Sequence, residues 1–268
     1  MTLALGGCFC LTIQIQATTI RPGLNKGTSM HSNNGLFIMI DGIAGSGKST
    51  LTRAIHRHLL EQGRSCFRLG DWKESQPPSF DQIQDFDVFF TFEPTKQWAG
   101  AMIRYGMSPR PDVFDAEAFA HAFALDRQVM YNRLIIPAKE AGKIIIQDRG
   151  VTTSLAYQTS MQEAFSFEDI QSLPGNRLAL QHVPDVLILT ELPIEEAAAR
   201  IASRSDDHKG VFQDLDLLHR AAKNFKSDEF RSLFEAAGTK ILELNTSGNQ
   251  AETEARALAL VADILPLS

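Results

Sequence analysis

The sequence predicts an α/β domain built on a buried parallel sheet of five strands flanked by helices, and three observations carry that prediction. Short, continuously apolar runs alternate with longer stretches of helical periodicity. A glycine-rich turn joins the first run to the first helix. The chain has 268 residues, 44% of them apolar, enough for one large domain and too few for two comfortable ones.

Strands covered on both faces are apolar throughout rather than alternately, and the runs at 36–40, 88–92, 144–146 and 186–189 have that character, with a weaker one at 241–244. After the first run, Leu51, Ile55 and Leu59 recur at helical spacing and the pattern stops at Gly63, which suits a left-handed cap. Phe86, Phe89, Phe90 and Phe92 belong to the second strand and its approach. The stretch 114–139, rich in Ala and Phe, reads as one long helix ending near Gly142, ahead of the third run. Beyond the fourth run a helix over 194–203 follows Pro193, with Glu195 and Glu196 in its first turn and Arg200 and Arg204 toward its end, as the helix dipole favours. A further helix starts at 214–219, and Pro77-Pro78 and 172–175 read as loops.

Charge and cysteine usage narrow the class. Thirty-two acidic residues against 26 basic ones give a net charge of -6, the wrong sign for a protein that coats nucleic acid. Cys8, Cys10 and Cys66 are too few for a disulfide framework or a zinc site, which favours a reducing compartment. No apolar run approaches the roughly 20 residues that cross a bilayer, so a cytoplasmic protein without membrane contact is expected. Residues 1–34 carry no Asp or Glu and read as a disordered leader or an upstream start, with the functional chain opening near Met30. An organellar transit role, on the evidence of Arg21 and Lys26, is the alternative. A single domain is expected over 35–268.

Residues Gly42-Ile43-Ala44-Gly45-Ser46-Gly47-Lys48-Ser49 fit G-x-x-x-x-G-K-[ST] position for position, with an apolar strand before and an amphipathic helix after. The chemistry explains the spacing. Gly42, Gly45, Ser46 and Gly47 let backbone N–H groups curl round a phosphate at a helix N-terminus, where Thr50 also falls. Lys48 reaches the terminal phosphate oxygens as a point charge, and the Ser49 hydroxyl can ligate Mg²⁺. ATP and Mg²⁺ are the expected ligands. Asp148 ends the strand Lys143-Ile144-Ile145-Ile146-Gln147-Asp148, where an acid faces the nucleotide crevice and can hold the metal. A guanine-reading Asn-Lys-x-Asp is missing, and the size leaves a nucleoside or nucleotide kinase of the P-loop NTPase fold.

Three stretches resemble bacterial thymidylate kinases. Asp148-Arg149 followed by Thr153-Ser154-Leu155-Ala156-Tyr157-Gln158 looks like that family's D-R-Y-x-x-S-S-x-A-Y-Q. Phe123-Ala124-Leu125-Asp126-Arg127 is similar to its F-A-x-D-R, and Pro184-Asp185-Val186 with the helix beyond Pro193 resembles its P-D-L strand and lid. Glu93-Pro94 follows the second strand, so the likeness runs from about Leu36 to the C-terminus in order. The resemblance implies transfer of the γ-phosphate of ATP to dTMP. Phe123 would stack on thymine and Arg127 would hydrogen-bond a base carbonyl. Arg104 and Arg149 would hold the acceptor phosphate, and Ser154, Tyr157 and Gln158 would line the base and sugar pocket. In the lid, about 200–213, Arg200 would lie against adenine, with Arg204 or Lys209 over the transferred phosphate. A homodimer is also implied.

The pattern breaks in three places. Ala44 stands where the family has an Asp, Phe92-Glu93-Pro94-Thr95-Lys96-Gln97 replaces R-E-P-G-G-T, and Gly150 replaces the Tyr after Asp-Arg. Less acceptor-side charge leaves a deoxynucleoside kinase of the same fold, or a nucleotide-binding protein with lost activity, as alternatives.

Overall fold

A computed structural model describes residues 35–110, 112–161, 165–203 and 214–265. The expected leader, Arg204, Lys209 and most of the expected lid lie outside the described residues. In chain order, β1 (Leu36–Gly42) runs into the glycine-rich turn and α1 (Lys48–Glu61) leaves it. The short β2 (Cys66–Arg68) and α2 (Phe80–Ile83) precede β3 (Val88–Phe92). Next, α3 (Trp98–Ala101) continues as a π-helical stretch to Met107, and α4 (Ala116–Met130) passes through a π-helical turn, Tyr131–Ile135, into α5 (Ile136–Glu140). Then come β4 (Ile144–Asp148), α6 (Val151–Tyr157), α7 (Phe167–Ser172), α8 (Pro174–Gln181) and β5 (Val186–Glu191). The order ends with α9 (Ile194–Ala202), α10 (Leu215–Phe225), α11 (Asp228–Glu235), β6 (Lys240–Asn245) and α12 (Gln250–Ala262).

All strands are parallel, in the order β2-β3-β4-β1-β5-β6. Six strands stand where five were expected. The additional one, β2, is only Cys66-Phe67-Arg68, too short to show as an apolar run, and its place is set by pairing with β3. Alternation along the strands divides the core in two. Phe37, Met39, Phe89, Ile145 and Leu187 face the helices that include α6, α8 and α10, whereas Ile38, Ile40, Phe90, Ile146 and Ile188 face α1 and α12.

Residues 172–175, expected to form a loop, instead join two helices: Ser172 ends α7, Leu173 is the N-cap of α8, and Pro174-Gly175 open α8, with Pro174 in the first turn, where its missing N–H costs nothing. Gly175 allows the close approach that follows, since a Cβ there would sit 1.7 Å from the Ala124 carbonyl oxygen on α4. Asp115 caps α4 and Asp214 caps α10, each accepting backbone N–H groups of the first turn. No helix among the described residues is long and apolar enough to cross a membrane.

Candidate active site

The register pairs Ile40 with Asp148 and Gly42 with Thr190, so the carboxyl ends of β1, β4 and β5 open onto one crevice. The turn between β1 and α1 is built by glycine at positions no other residue would fill easily. Gly45 and Gly47 have φ of 82° and 89°, and a Cβ on Gly45 would lie 2.5 Å from the Ala197 carbonyl oxygen of α9. Lys48 is buried at the head of α1, and its Nζ donates to the carbonyls of Gly42 (2.9 Å) and Ile43 (2.8 Å), which holds the ammonium over the mouth of the loop. Ser46 Oγ lies 2.7 Å from the Ile43 carbonyl and 2.6 Å from Thr190 Oγ1, tying the loop to β5.

Ser49 Oγ donates to Asp148 Oδ2 at 3.1 Å, so the two residues expected to serve a metal are adjacent. Asp148 Oδ1 is buried without a hydrogen-bond partner. A hydroxyl beside a carboxylate oxygen with spare lone pairs is a hard-oxygen donor set that fits Mg²⁺. On the other flank Arg200 Nη2 donates to the carbonyls of Thr246 (3.0 Å) and Gly248 (3.3 Å), and its Nη1 is the nearest atom to where a Gly47 Cβ would project, 3.8 Å away. Arg200 therefore lies beside the loop, spanning to the turn after β6.

The acceptor-side residues converge on β3, α4 and α6. Arg127 is 1% exposed and its guanidinium is nearly saturated. Nε and Nη2 fork onto Glu93, Nη2 also reaches Ser154 Oγ (3.0 Å), and Nη1 donates to Asn176 Oδ1. One Nη1 N–H is left over for any further acceptor. Glu93 also accepts from Gln147 Nε2 at 3.0 Å. Burial pushes its carboxyl up to about 7, against the pull of Arg127. One turn before Arg127, Phe123 is half-buried. Asp126, between them in sequence, accepts from both the N–H and the hydroxyl of Thr95, and this fixes the loop after β3.

Arg104 lies over the Phe92 ring, 5.2 Å from its centroid, with Nε donating to the carbonyls of Pro94 (2.7 Å) and Thr95 (3.0 Å). Burial, with Arg149 close by, pulls its guanidinium below its ordinary value. Arg149 has φ of 69°, a left-handed conformation that costs a non-glycine residue of order 1–3 kcal/mol and that clusters at functional sites. Its N–H donates to the Ile40 carbonyl at 2.9 Å. Tyr157 reaches across from α6, and its hydroxyl oxygen accepts the Ala44 N–H at 2.7 Å. Burial pushes that phenol up to about 12, so it stays neutral. Gln158 is buried with both amide atoms unpartnered, the state a polar ligand group would relieve.

A family model described as thymidylate kinase matches residues 80–256. A thymidylate kinase of Desulfotalea psychrophila is 30% identical over 201 residues, covering 75% of this chain and 85% of that protein. The chain belongs to the thymidylate kinase family. A thymidylate kinase of Rhizorhabdus wittichii is 29% identical over 87% of this chain and 99% of that protein, and a probable thymidylate kinase of Thermococcus gammatolerans is 32% identical over 64% and 72%. A shorter match, over residues 38–99, is to a viral superfamily 1 RNA helicase core domain and spans the glycine-rich turn.

Against the thymidylate kinase pattern, the three departures now have surroundings. Phe92, in the place of an arginine, carries Arg104 on its ring. Gly150 is packed under Met39, whose methyl would be 2.5 Å from a Cβ at 150. Ala44 meets the Tyr157 hydroxyl. The residues that sequence reasoning passed over are Asp41, Thr152, Thr153, Gln147 and Asn176. Asp41 and the threonines sit beside or inside the quoted motifs, whereas Asn176 falls just after the stretch 172–175 read as a loop and had no signal.

Proposed function

We propose that this chain transfers the γ-phosphoryl group of ATP to dTMP, giving ADP and dTDP. The observation that carries the reading is the convergence, at the ends of the four adjacent strands β3, β4, β1 and β5, of a phosphate-cradling turn with Arg104 and Arg149 and the Phe123–Arg127 helix. An oxygen of the acceptor phosphate attacks the γ-phosphorus as the bond to the β,γ-bridging oxygen breaks. The acceptor is already an anion, so no strong general base is needed, and catalysis consists of alignment and cationic screening. Gly42, Gly45, Ser46, Gly47, Lys48, Ser49 and Thr50 receive the triphosphate, and Arg200 lies against the adenine. Ser49 and Asp148 would hold Mg²⁺, which when bound neutralises phosphate charge. Arg104 and Arg149 grip the acceptor phosphate as guanidinium forks. The base meets Phe123 and the remaining Arg127 N–H, with Glu93 holding that guanidinium from behind and Ser154, Tyr157 and Gln158 lining the rest. Arg204 and Lys209, in the lid, screen the group in flight. Residues 35–268 act as one catalytic domain in the cytoplasm, and residues 1–34 are a leader or lie upstream of the functional start.

Retention of Arg104 over Phe92 favours a phosphorylated acceptor over a nucleoside. Trp98, Met102 and Tyr105 stand exposed on α3 and its continuation, and Leu125 on α4, which supports a homodimer through this side. A coupled assay of ADP release over the common nucleoside monophosphates and thymidine tests the reading. Turnover highest with dTMP is expected. Rates with dTMP no higher than the ATP-only blank overturn it, and faster turnover of thymidine would establish the nucleoside kinase instead.

A further inference from the structure

Asp41, the last residue before the glycine-rich turn, has no exposed surface, yet its carboxylate is not a bystander. Oδ1 accepts the Gly42 N–H at 2.8 Å, at the point where the donor loop leaves β1. Oδ2 accepts two hydroxyls from the first turn of α6, Thr152 at 2.5 Å and Thr153 at 2.6 Å. From that same short helix, Tyr157 reaches the loop again at Ala44. The loop that receives the triphosphate and the helix that lines the acceptor pocket are thus joined at two points, and the first of them is a single carboxylate. Fully bonded and enclosed, Asp41 is not placed to touch either nucleotide or to substitute for the acid missing at Ala44.

We propose that Asp41 is a positioning residue, setting the distance between donor loop and acceptor helix through Thr152 and Thr153. The inference rests on the kinase reading above. In-line transfer between two separately held phosphates is sensitive to relative placement, and a misalignment of about 1 Å costs on the order of 100-fold in rate. Loss of the link therefore acts on the chemical step and leaves each binding half intact.

The test compares Asp41→Ala, Asp41→Asn, Thr152→Val and Thr153→Val in full steady-state kinetics, with thermal melts as a check on folding. Asp41→Ala is expected to lower kcat about 100-fold while KM for ATP and for the acceptor moves by less than about threefold. Asn can still accept from Gly42 and can donate to both threonine oxygens, so Asp41→Asn is expected to restore kcat to within about fivefold of the unaltered protein. The threonine variants should fall between, and they carry the test if Asp41→Ala does not fold. Unchanged kcat in Asp41→Ala and both threonine variants overturns the proposal. So does a rise in one KM alone, or an Asn variant as slow as the Ala variant, which would give the carboxylate a charge role. The kinase reading is judged separately, by the unaltered protein's acceptor screen, because the ratios for Asp41 are taken with whichever monophosphate it turns over.

Discussion

Lys48 and Glu93 are both enclosed charges, but their surroundings give them different roles. Lys48 is held by carbonyls of its own loop, contacts a phosphate oxygen can replace, so Lys48→Ala removes the cation without disturbing α1. Turnover is expected to fall about 10²- to 10³-fold, read in the ADP-release assay, and an unchanged rate would exclude this turn as the phosphate site. Glu93 is held raised, to about 7 from an ordinary value near 4.5, because desolvation outweighs the Arg127 charge. Between those values the folded chain binds more proton at this site than the unfolded chain does. Its contribution to stability is therefore full below about pH 4.5 and declines as pH rises through about 7. Denaturant melts across that window should show the decline in the unaltered protein and a flatter profile in Glu93→Gln. Equal slopes in the two would mean that the carboxyl titrates elsewhere.

At the scale of elements, the helix that carries Phe123 and Arg127 is set by its neighbour. The contact of Gly175 with the Ala124 carbonyl lets α8 lie against α4 and deliver Asn176 to the Arg127 guanidinium. A methyl at 175 meets backbone, which cannot rotate away, so Gly175→Ala is expected to cost about 1–3 kcal/mol, checked by denaturant unfolding. Wild-type stability would mean the two helices are free to separate. The same pair of helices marks where the sequence stopped being informative. The α4 pattern was legible because its small and aromatic residues repeat and a glycine follows it. The N-terminus of α8 was not, because Pro174-Gly175 has turn chemistry and is helical only through contact with a distant helix. Likewise β2 is a strand because β3 lies alongside it, a fact absent from its three residues. The glycine-rich turn was readable since its spacing is itself the chemistry, and the Asp148-Arg149 to Gln158 stretch through its likeness to the family's signature. The Glu93–Arg127 pair was not, because 34 residues separate its members and only the sheet brings them together.

For the whole molecule, the proposed function requires two nucleotides to meet across the ends of β3, β4, β1 and β5, donor on the α1 side and acceptor against α4 and α6. The apolar side chains exposed on α3 and α4 predict a dimer in sedimentation velocity, and replacement of Met102 and Leu125 by Asp should yield monomer. A chain that sediments as monomer before any substitution would remove that part of the account. A crystal structure of the chain with dTMP and a non-hydrolysable ATP analogue decides where the two nucleotides sit. The thymine ring is expected to stack on Phe123 with a carbonyl at Arg127, the acceptor phosphate to lie between Arg104 and Arg149, and the γ-phosphate to lie at Lys48. A pyrimidine bound away from Phe123 and Arg127, or a triphosphate away from Lys48, would contradict that placement.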